Sequence, residues 1–239
     1  MLACLLINRG NRELTDAKKR VVMSAIGGPL FIIAIVFITA GTFNYWQGIL
    51  YTALTMVVLA VSIFSIRKNK ELINERLKPG EGTKSWDKVY LRLSGILFFV
   101  TLILACLDGG RFNWSPSLPY AVYLVAIGIY LLGNFFFVWA RTTNRFFSSV
   151  VRIQKDRGQT VCQEGPYKYV RHPGYLGGSL YTLVTPLLLG SLWAMIPVVM
   201  TIILMIIRTS LEDKMLEAEL TGYREYKEKV KYRILPHVW

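Results

Sequence analysis

The stretch that decides the fold is residues 175–207, YLGGSLYTLVTPLLLGSLWAMIPVVMTIILMII, which is apolar almost throughout. A helix rises about 1.5 Å per residue and a bilayer core needs about 20 residues, so this stretch is too long for one crossing. Pro186 and Gly190 interrupt it near the middle, where a helix would break. The sequence therefore predicts a helical hairpin with its turn near residues 190–193.

The composition agrees with a chain built from membrane helices. Of 239 residues, 53% are hydrophobic and only 18% are charged, whereas about a quarter are charged in a soluble domain. Further apolar segments precede the hairpin at residues 21–41, 46–66, 89–107 and 119–140. The expected fold class is therefore all-α, a polytopic integral membrane protein of about six transmembrane helices, of which the last two form the hairpin.

The charges point to a membrane surface rather than to nucleic acid. There are 28 Lys and Arg against 15 Asp and Glu, a net charge of +13. All the basic residues except Arg111 lie in residues 1–20, 67–92, 141–173 and 208–239. Six spans place these segments on one side of the membrane, and basic segments collect on the cytoplasmic side. We therefore expect both termini in the cytoplasm, membrane lipids as neighbours and no nucleic-acid partner.

The chain divides into two regions. Residues 1–140 are expected to form an N-terminal membrane bundle of four spans, whose first 20 residues form an amphipathic surface segment or, alternatively, a cleaved signal. Residues 141–239 are expected to hold the functional site, the hairpin and a C-terminal amphipathic helix. The tyrosines of that helix, Tyr223, Tyr226 and Tyr232, would lie on the membrane. With 3 Cys and 2 His in the whole chain, a disulfide framework or a metal centre is not expected.

Polar residues gather in two places. The spans contain few ionisable groups, which argues against an ion pump or a proton relay. Residues 164–178 read EGPYKYVRHPGYLGG, and residues 208–213 read RTSLED. The hairpin brings both segments to the same face. Such a face can hold a polar ligand in water while the reaction partner stays in lipid.

Three motifs follow one another in the last part of the chain. They are GPYKYVRHPGYLG at residues 165–177, R-x-x-x-E-D-x-x-L at 208–216 and G-Y-R-E-Y at 222–226. In this order they resemble the isoprenylcysteine carboxyl methyltransferase family of integral membrane enzymes over residues 144–236. Phospholipid N-methyltransferases are similar more loosely.

The resemblance implies methyl transfer from S-adenosyl-L-methionine, bound in a cytoplasmic pocket, to a lipophilic or prenylated acceptor that enters from the bilayer. Arg208 and Glu212 would be the catalytic residues, with Arg208 holding the acceptor. The cofactor contacts carried over by position are Gln154, Gln159, Thr160, Val161, Cys162, Tyr167, His172, Pro173, Gly174, Tyr175 and Glu212. Two positions depart from the family pattern: Asp213 replaces the usual second Glu, and Gln159 stands where a His is typical.

Residue chemistry favours a carboxylate acceptor. A carboxylate is ionised at neutral pH and attacks the sulfonium methyl without a general base, and the fork of Arg208 matches its two oxygens. Arg208 lies one helical turn before Glu212, so the two side chains share a face. Residues 144–148, NRFFS, are expected to line the lipid entrance or to anchor at the interface.

Other functions fit the residues less well. A phospholipid or small-amine N-methyltransferase is the alternative enzyme, but an amine must lose a proton and Arg208 would be a poor neighbour for it. A non-enzymatic membrane protein or a transporter is the second alternative. A transporter would normally carry polar residues at the membrane midplane. The sequence does not indicate an oligomeric state.

Several of these residues also have purely structural interpretations. Arg171 and Arg208 stand where snorkelling charges end a span. His172, which precedes a proline, suits the start of a helix. Gly177 and Gly178 suit close packing of membrane helices.

Overall fold

The computed structural model describes residues 27–239 apart from residues 68, 78 and 80, and apart from the side chains of residues 70, 76 and 77. The surface segment predicted at the N-terminus lies outside the described residues. So does the first part of the span predicted over residues 21–41.

All regular secondary structure in the described residues is helical. The α-helices are α1 (Gly27–Ala40), α2 (Trp46–Ile66), α3 (Lys70–Leu77), α4 (Ser85–Cys106), α5 (Tyr120–Thr143), α6 (Pro173–Leu188), α7 (Met195–Glu219) and α8 (Tyr223–Lys229). A π-helical turn, Leu107–Phe112, extends α4, and 3₁₀ turns occupy Lys155–Arg157 and Gly165–Lys168. The predicted all-α fold class is confirmed.

Among the described residues, 4 helices are long and apolar enough to cross a membrane: α2, α4 with its π-helical turn, α5 and α7. Helix α6 has 16 residues, and the described part of α1 is shorter. Apolar helices of this length satisfy their backbone polar groups internally, as lipid requires. The chain is therefore a polytopic integral membrane protein.

The long apolar stretch folds as the predicted hairpin. Helices α6 and α7 are separated by residues 189–194, which include the predicted turn at 190–193. Pro186 lies in the last turn of α6, so the break follows it directly. Gly190 has a φ of +70°, in the left-handed region that favours glycine. The chain thus reverses where the sequence predicts.

A buried carboxylate secures this turn at one end of the bundle. Asp108, in the π-helical turn, accepts hydrogen bonds from the backbone N–H of Ser115 at 2.6 Å and from its hydroxyl at 2.5 Å. The hydroxyl of Ser191 donates to the same carboxylate at 2.6 Å. Tyr45, between α1 and α2, donates to the carbonyl of Leu189 at 2.5 Å. The opposite end of the bundle carries the loop after α5, the start of α6 and the C-terminal tail.

Helices α5 and α6 pack through a pair of glycines. An added Cβ at Gly177 would lie 2.4 Å from the carbonyl oxygen of Gly133, and one at Gly133 would lie 2.8 Å from the carbonyl oxygen of Gly177. Only glycine allows backbones to approach this closely. At Gly178 the atom nearest to an added Cβ is Met205 Cε, 3.7 Å away. The packing interpretation is confirmed for Gly177, whereas Gly178 is not needed for close approach.

Gly177→Ala is expected to lower the stability of the detergent-solubilised protein, because the new methyl group meets backbone atoms of α5. Overpacking of this kind costs about 1–3 kcal/mol. Gly178→Ala makes the same chemical change one residue later at an ordinary contact distance, so its melting temperature should match or exceed that of the parent. Equal melting temperatures for the two variants would contradict the close contact between α5 and α6.

Candidate functional site

A cavity opens where α6 begins and α7 ends. It encloses about 810 Å³ of empty space, including its open mouth. Its walls come from the loop after α5, the first turn of α6, the end of α7 and α8. The segment 144–148, which the sequence places at the lipid entrance or interface, lines this cavity through Asn144, Phe146, Phe147 and Ser148.

Nearly all the residues carried over as cofactor contacts meet at this cavity. Lining it are Gln154, Gln159, Thr160, Val161, Cys162, Tyr167, His172, Gly174, Tyr175 and Glu212. Pro173 occupies the first turn of α6 but does not line the cavity, and Arg208 lies outside it as well. The fold therefore brings together segments that are distant in the chain. The roles of these residues as ligand contacts stay predictions.

A second cavity lies at the opposite end of the bundle, beside the hairpin turn. It encloses about 1,260 Å³ and is lined by residues such as Gln47, Asn113 and Tyr123. Although it is larger, none of the residues from the three motifs lines it. The cavity around Glu212 is therefore the candidate functional site.

Aromatic rings and one carboxylate form the floor of the candidate site. The hydroxyl of Tyr175 donates a hydrogen bond to the Glu212 carboxylate. The His172 ring stacks on the Tyr175 ring, with centroids 5.5 Å apart and planes 4° apart. An added Cβ at Gly174 would lie 2.7 Å from the Phe147 ring. His172 precedes Pro173 at the start of α6, as its structural interpretation predicts.

The side chain of Gln154 shapes the wall of the site. Its amide nitrogen donates to the carbonyl of Phe146 at 2.6 Å, and its carbonyl oxygen accepts a hydrogen bond from Arg157 at 2.5 Å. Its backbone N–H donates to the side chain of Gln159 at 2.7 Å. Beside it, burial raises the pKa of the Cys162 thiol, so this thiol is neutral. The wall is thus built from satisfied or neutral polar groups.

A buried ion pair holds this loop against α3. Arg152, with a side chain only 2% exposed, bonds the Glu75 carboxylate at 2.8 and 3.1 Å. It also bonds Asp156 at 2.7 Å, and these bonds lower the pKa of the Asp156 carboxyl. The hydroxyl of Ser148 donates to Glu75 at 2.9 Å. The i,i+4 spacing of Arg152 and Asp156 is typical of a local ion pair, but no sequence pattern predicts that Glu75 joins them.

The Asp213 carboxylate is the most heavily bonded group near the site. Arg171 binds it through two bonds, at 2.8 and 3.0 Å, and Tyr223 donates to it at 2.8 Å. Arg233 adds a bond at 3.0 Å, and His172 Nε2 lies 3.3 Å away. Burial and the neighbouring Asp213 charge raise the pKa of Tyr223. The snorkelling interpretation of Arg171 is therefore wrong, since this side chain is buried and paired.

The C-terminal tail closes over the start of α6. The backbone N–H of Arg171 donates to the carbonyl of Tyr232 at 2.9 Å, and that of His172 donates to the carbonyl of Arg233 at 2.8 Å. The guanidinium of Arg171 also donates to the carbonyls of residues 230 and 231, at 2.7 Å each. Tail and site are thus one hydrogen-bonded unit.

The tyrosines of the tail correct a prediction. Tyr223 and Tyr226 are only 3% and 2% exposed and line the candidate site. Tyr226 donates to the carbonyl of Tyr167 at 2.7 Å. The prediction that these two tyrosines lie on the membrane is therefore wrong: they pack against the protein because buried hydrogen-bond acceptors are within reach. Tyr232 instead pairs with His237 near the surface.

Arg208 has a buried counter-ion that sequence reasoning missed. Its Nε lies 2.9 Å from Oδ1 of Asp87, which is fully buried in the first turn of α4. The two atoms are close but poorly aligned, and among the described residues neither atom has a hydrogen-bond partner. The guanidinium lies over the rings of Tyr90 and Tyr175, 4.4 and 5.2 Å from their centroids. The snorkelling interpretation of Arg208 is wrong, and its nearest carboxylate is Asp87 rather than Glu212.

Two comparisons with known proteins agree with the motif resemblance. The model of the isoprenylcysteine carboxyl methyltransferase (ICMT) family matches residues 125–218. The protein-S-isoprenylcysteine O-methyltransferase of Schizosaccharomyces pombe (strain 972 / ATCC 24843) is 28% identical over 123 residues, which cover 45% of this chain and 52% of the relative. The chain therefore spans about half the length of the curated relative that it matches. The resemblance stated from the three motifs is confirmed.

The matched range runs from α5 to the end of α7 and includes most of the site wall. Tyr223 and Tyr226, which complete the wall, lie after it. Asp87 and Glu75, which hold Arg208 and Arg152, lie before it.

Tyr223→Phe is expected to destabilise the closed tail, because it removes a hydrogen bond to the buried Asp213 carboxylate. Bonds to charged groups contribute about 1.5–3 kcal/mol, so the melting temperature should fall and proteolysis after α7 should become faster. Tyr232→Phe is the matched control, since it removes a hydroxyl that bonds only the exposed ring of His237. If both variants resist heat and protease equally, the bond between Tyr223 and Asp213 does not hold the tail.

Proposed function

We propose that this protein is an integral membrane methyltransferase that uses S-adenosyl-L-methionine to methylate the carboxylate of a lipidated cysteine or a similar lipophilic carboxylate. The main support is one observation: a cavity at the end of apolar helices collects the polar residues that the family resemblance assigns to the cofactor. The family match over residues 125–218 supports the same reaction. The clustering of basic residues supports placing this cavity and both termini on the cytoplasmic side.

The donor set of the cavity fits S-adenosyl-L-methionine. Glu212 offers a carboxylate to the cationic groups, and the stacked rings of His172 and Tyr175 offer aromatic faces to a sulfonium. Residues 159–162 offer backbone and side-chain polar groups to the ribose and the amino acid part. Gly174 keeps the floor flat where a side chain would meet Phe147. When bound, the cofactor supplies a methyl group on a positively charged sulfur.

The residues around the cavity also suit an acceptor held in lipid. A carboxylate acceptor needs orientation and partial desolvation but no proton acceptor. Arg208 lies against the Tyr175 ring, which itself lines the cavity, so it is positioned to orient an anion beside the donor site. Its Nη2 donates a 3.3 Å hydrogen bond to the carbonyl of Ser149, and the Tyr90 hydroxyl is a further hydrogen-bond partner of the guanidinium. The planar fork of a guanidinium suits a carboxylate.

One observation favours an amine acceptor as the second candidate. Asp87 already compensates the charge of Arg208, which weakens the objection that a cation would repel an amine. A phospholipid or small-amine N-methyltransferase would then use Glu212 beside the amine. Testing methyl transfer to a farnesylated cysteine analogue and to phosphatidylethanolamine vesicles separates the two candidates. Binding of S-adenosyl-L-methionine without transfer to either would favour a non-enzymatic protein.

Glu212→Gln is expected to weaken the binding of S-adenosyl-L-methionine by about tenfold to a hundredfold, the equivalent of one charged hydrogen bond. The amide still accepts from Tyr175 but loses the negative charge. Calorimetry on the purified protein measures the affinity. Glu217→Gln is the control, because Glu217 lies on the same helix, pairs with Lys227 and does not line the cavity. Equal affinities for the two variants would remove Glu212 from the cofactor site.

Arg208→Lys is expected to bind S-adenosyl-L-methionine almost normally yet methylate a farnesylated cysteine analogue poorly. An ammonium keeps the charge beside Asp87 but loses the two-pronged geometry. A charge-assisted pair is worth about 1.5–3 kcal/mol, so kcat/KM should fall about tenfold to a hundredfold. Arg224→Lys, on the exposed face of α8, is the control. Unchanged turnover in Arg208→Lys would exclude Arg208 as the group that binds the acceptor carboxylate, and it would favour the amine acceptor.

A further inference from the structure

We propose that Asp87 is a positioning residue that sets how strongly Arg208 holds the acceptor carboxylate, an inference that rests on the proposed function. Asp87 lies in the first turn of α4, before the range that the family model matches. It reaches the cavity through Arg208 and through the loop after α5. Its proposed effect is to keep the ground-state binding of the acceptor anion weak, and to give Arg208 a counter-ion once the product is a neutral ester.

The geometry gives Asp87 two contacts that converge on the site. Its Oδ2 accepts a hydrogen bond from the backbone N–H of Val151 at 2.7 Å, and Val151 lines the cavity. Its Oδ1 lies 2.9 Å from Nε of Arg208. Arg208 in turn donates to the carbonyl of Ser149. Asp87 therefore fixes the guanidinium and the adjacent loop relative to each other.

The pair is incomplete as a purely structural ion pair. Both facing atoms, Oδ1 of Asp87 and Nε of Arg208, are buried without a hydrogen-bond partner in the part of the chain that the structure describes. Buried ion pairs that serve stability alone normally satisfy their polar atoms, because each unsatisfied atom is costly. The Arg171 and Asp213 pair nearby does so, with two aligned bonds. The poor alignment at Arg208 leaves room for a second anion to compete for the same guanidinium.

The charge balance of the reaction explains why a resident counter-ion is needed. In carboxylate methylation an oxygen–carbon bond forms and the carbon–sulfur bond breaks, with its electron pair going to sulfur. No proton moves, and the acceptor changes from an anion to a neutral ester. Without Asp87, Arg208 would lose its nearest carboxylate and would keep only the charge of Glu212 beside the neutral ester. It would also bind the anion tightly in the ground state, which lowers turnover.

The test compares a carboxylate with its own ester. The equilibrium affinities of N-acetyl-S-farnesylcysteine and of its methyl ester are measured without a methyl donor, in the wild-type protein and in Asp87→Asn. We expect the preference for the carboxylate over the ester to rise about tenfold or more in Asp87→Asn, because a negative charge a few ångströms away is removed. In turnover, KM for the acceptor and kcat should both fall, while affinity for S-adenosyl-L-methionine stays the same.

The control is Glu219→Gln, which removes an exposed carboxylate that pairs with Lys84 just before α4. Its preference for the carboxylate should equal that of the wild type. A merely structural Asp87 would weaken both ligands alike, leaving their ratio unchanged, and that result overturns the inference. If the wild type methylates the analogue and only this ratio fails to move, the proposed function stands without the inference. If the wild type binds neither the methyl donor nor the two cysteine derivatives, both fall.

A second variant covers the case in which Asp87→Asn does not fold. Asp87→Asn combined with Arg208→Gln removes both buried charges, so its melting temperature should return towards that of the wild type. Without the Arg208 guanidinium, it should bind the carboxylate no better than the ester. If the double variant keeps the wild-type preference for the carboxylate, the pair does not contact the acceptor, and the inference is overturned.

Discussion

The candidate site depends on the Asp213 carboxylate, which is only 1% exposed. A carboxylate buried this deeply is tolerated only with charged and hydrogen-bonded partners, and here they come from the start of α6 and from the tail. Because Arg171 is fixed by this carboxylate, the following His172 is held where its ring stacks on Tyr175. The stack in turn orients the hydroxyl that bonds Glu212. The cavity therefore has a rigid floor.

The lengths of the apolar runs predicted the helical part of this arrangement well. The apolar runs predicted the membrane helices, and one proline with one glycine predicted the hairpin turn that returns α7 to the start of α6. Because α7 returns to the start of α6, His172 and Glu212 lie close together. The length of the apolar run and its two helix-breaking residues therefore predicted that the two motif segments meet. Asn144 and Phe147 form part of the cavity wall, whereas the sequence predicted for them only a lipid entrance or an interfacial anchor.

Pairings between distant charges were beyond the reach of the sequence. Arg208 and Arg152 each look like a surface charge at the end of a segment, and their partners Asp87 and Glu75 lie in the other half of the chain. The prediction for the C-terminal tail was wrong for a related reason. Tyrosines among lysines have the composition of an interfacial helix, and what buries Tyr223 is an acceptor on α7 that no local pattern includes.

Two buried arginine–aspartate pairs stand on either side of the Tyr175–Glu212 contact. They differ in how fully their hydrogen bonds are satisfied. Arg171 meets Asp213 through two aligned bonds and donates to the backbone carbonyls of residues 230 and 231. Arg208 meets Asp87 at a similar distance without alignment. Natural cores rarely leave buried donors unused without a functional reason. The saturation of the hydrogen bonds, more than burial or charge, therefore distinguishes the two pairs, and this difference is what supports the proposed role of Arg208 at the acceptor.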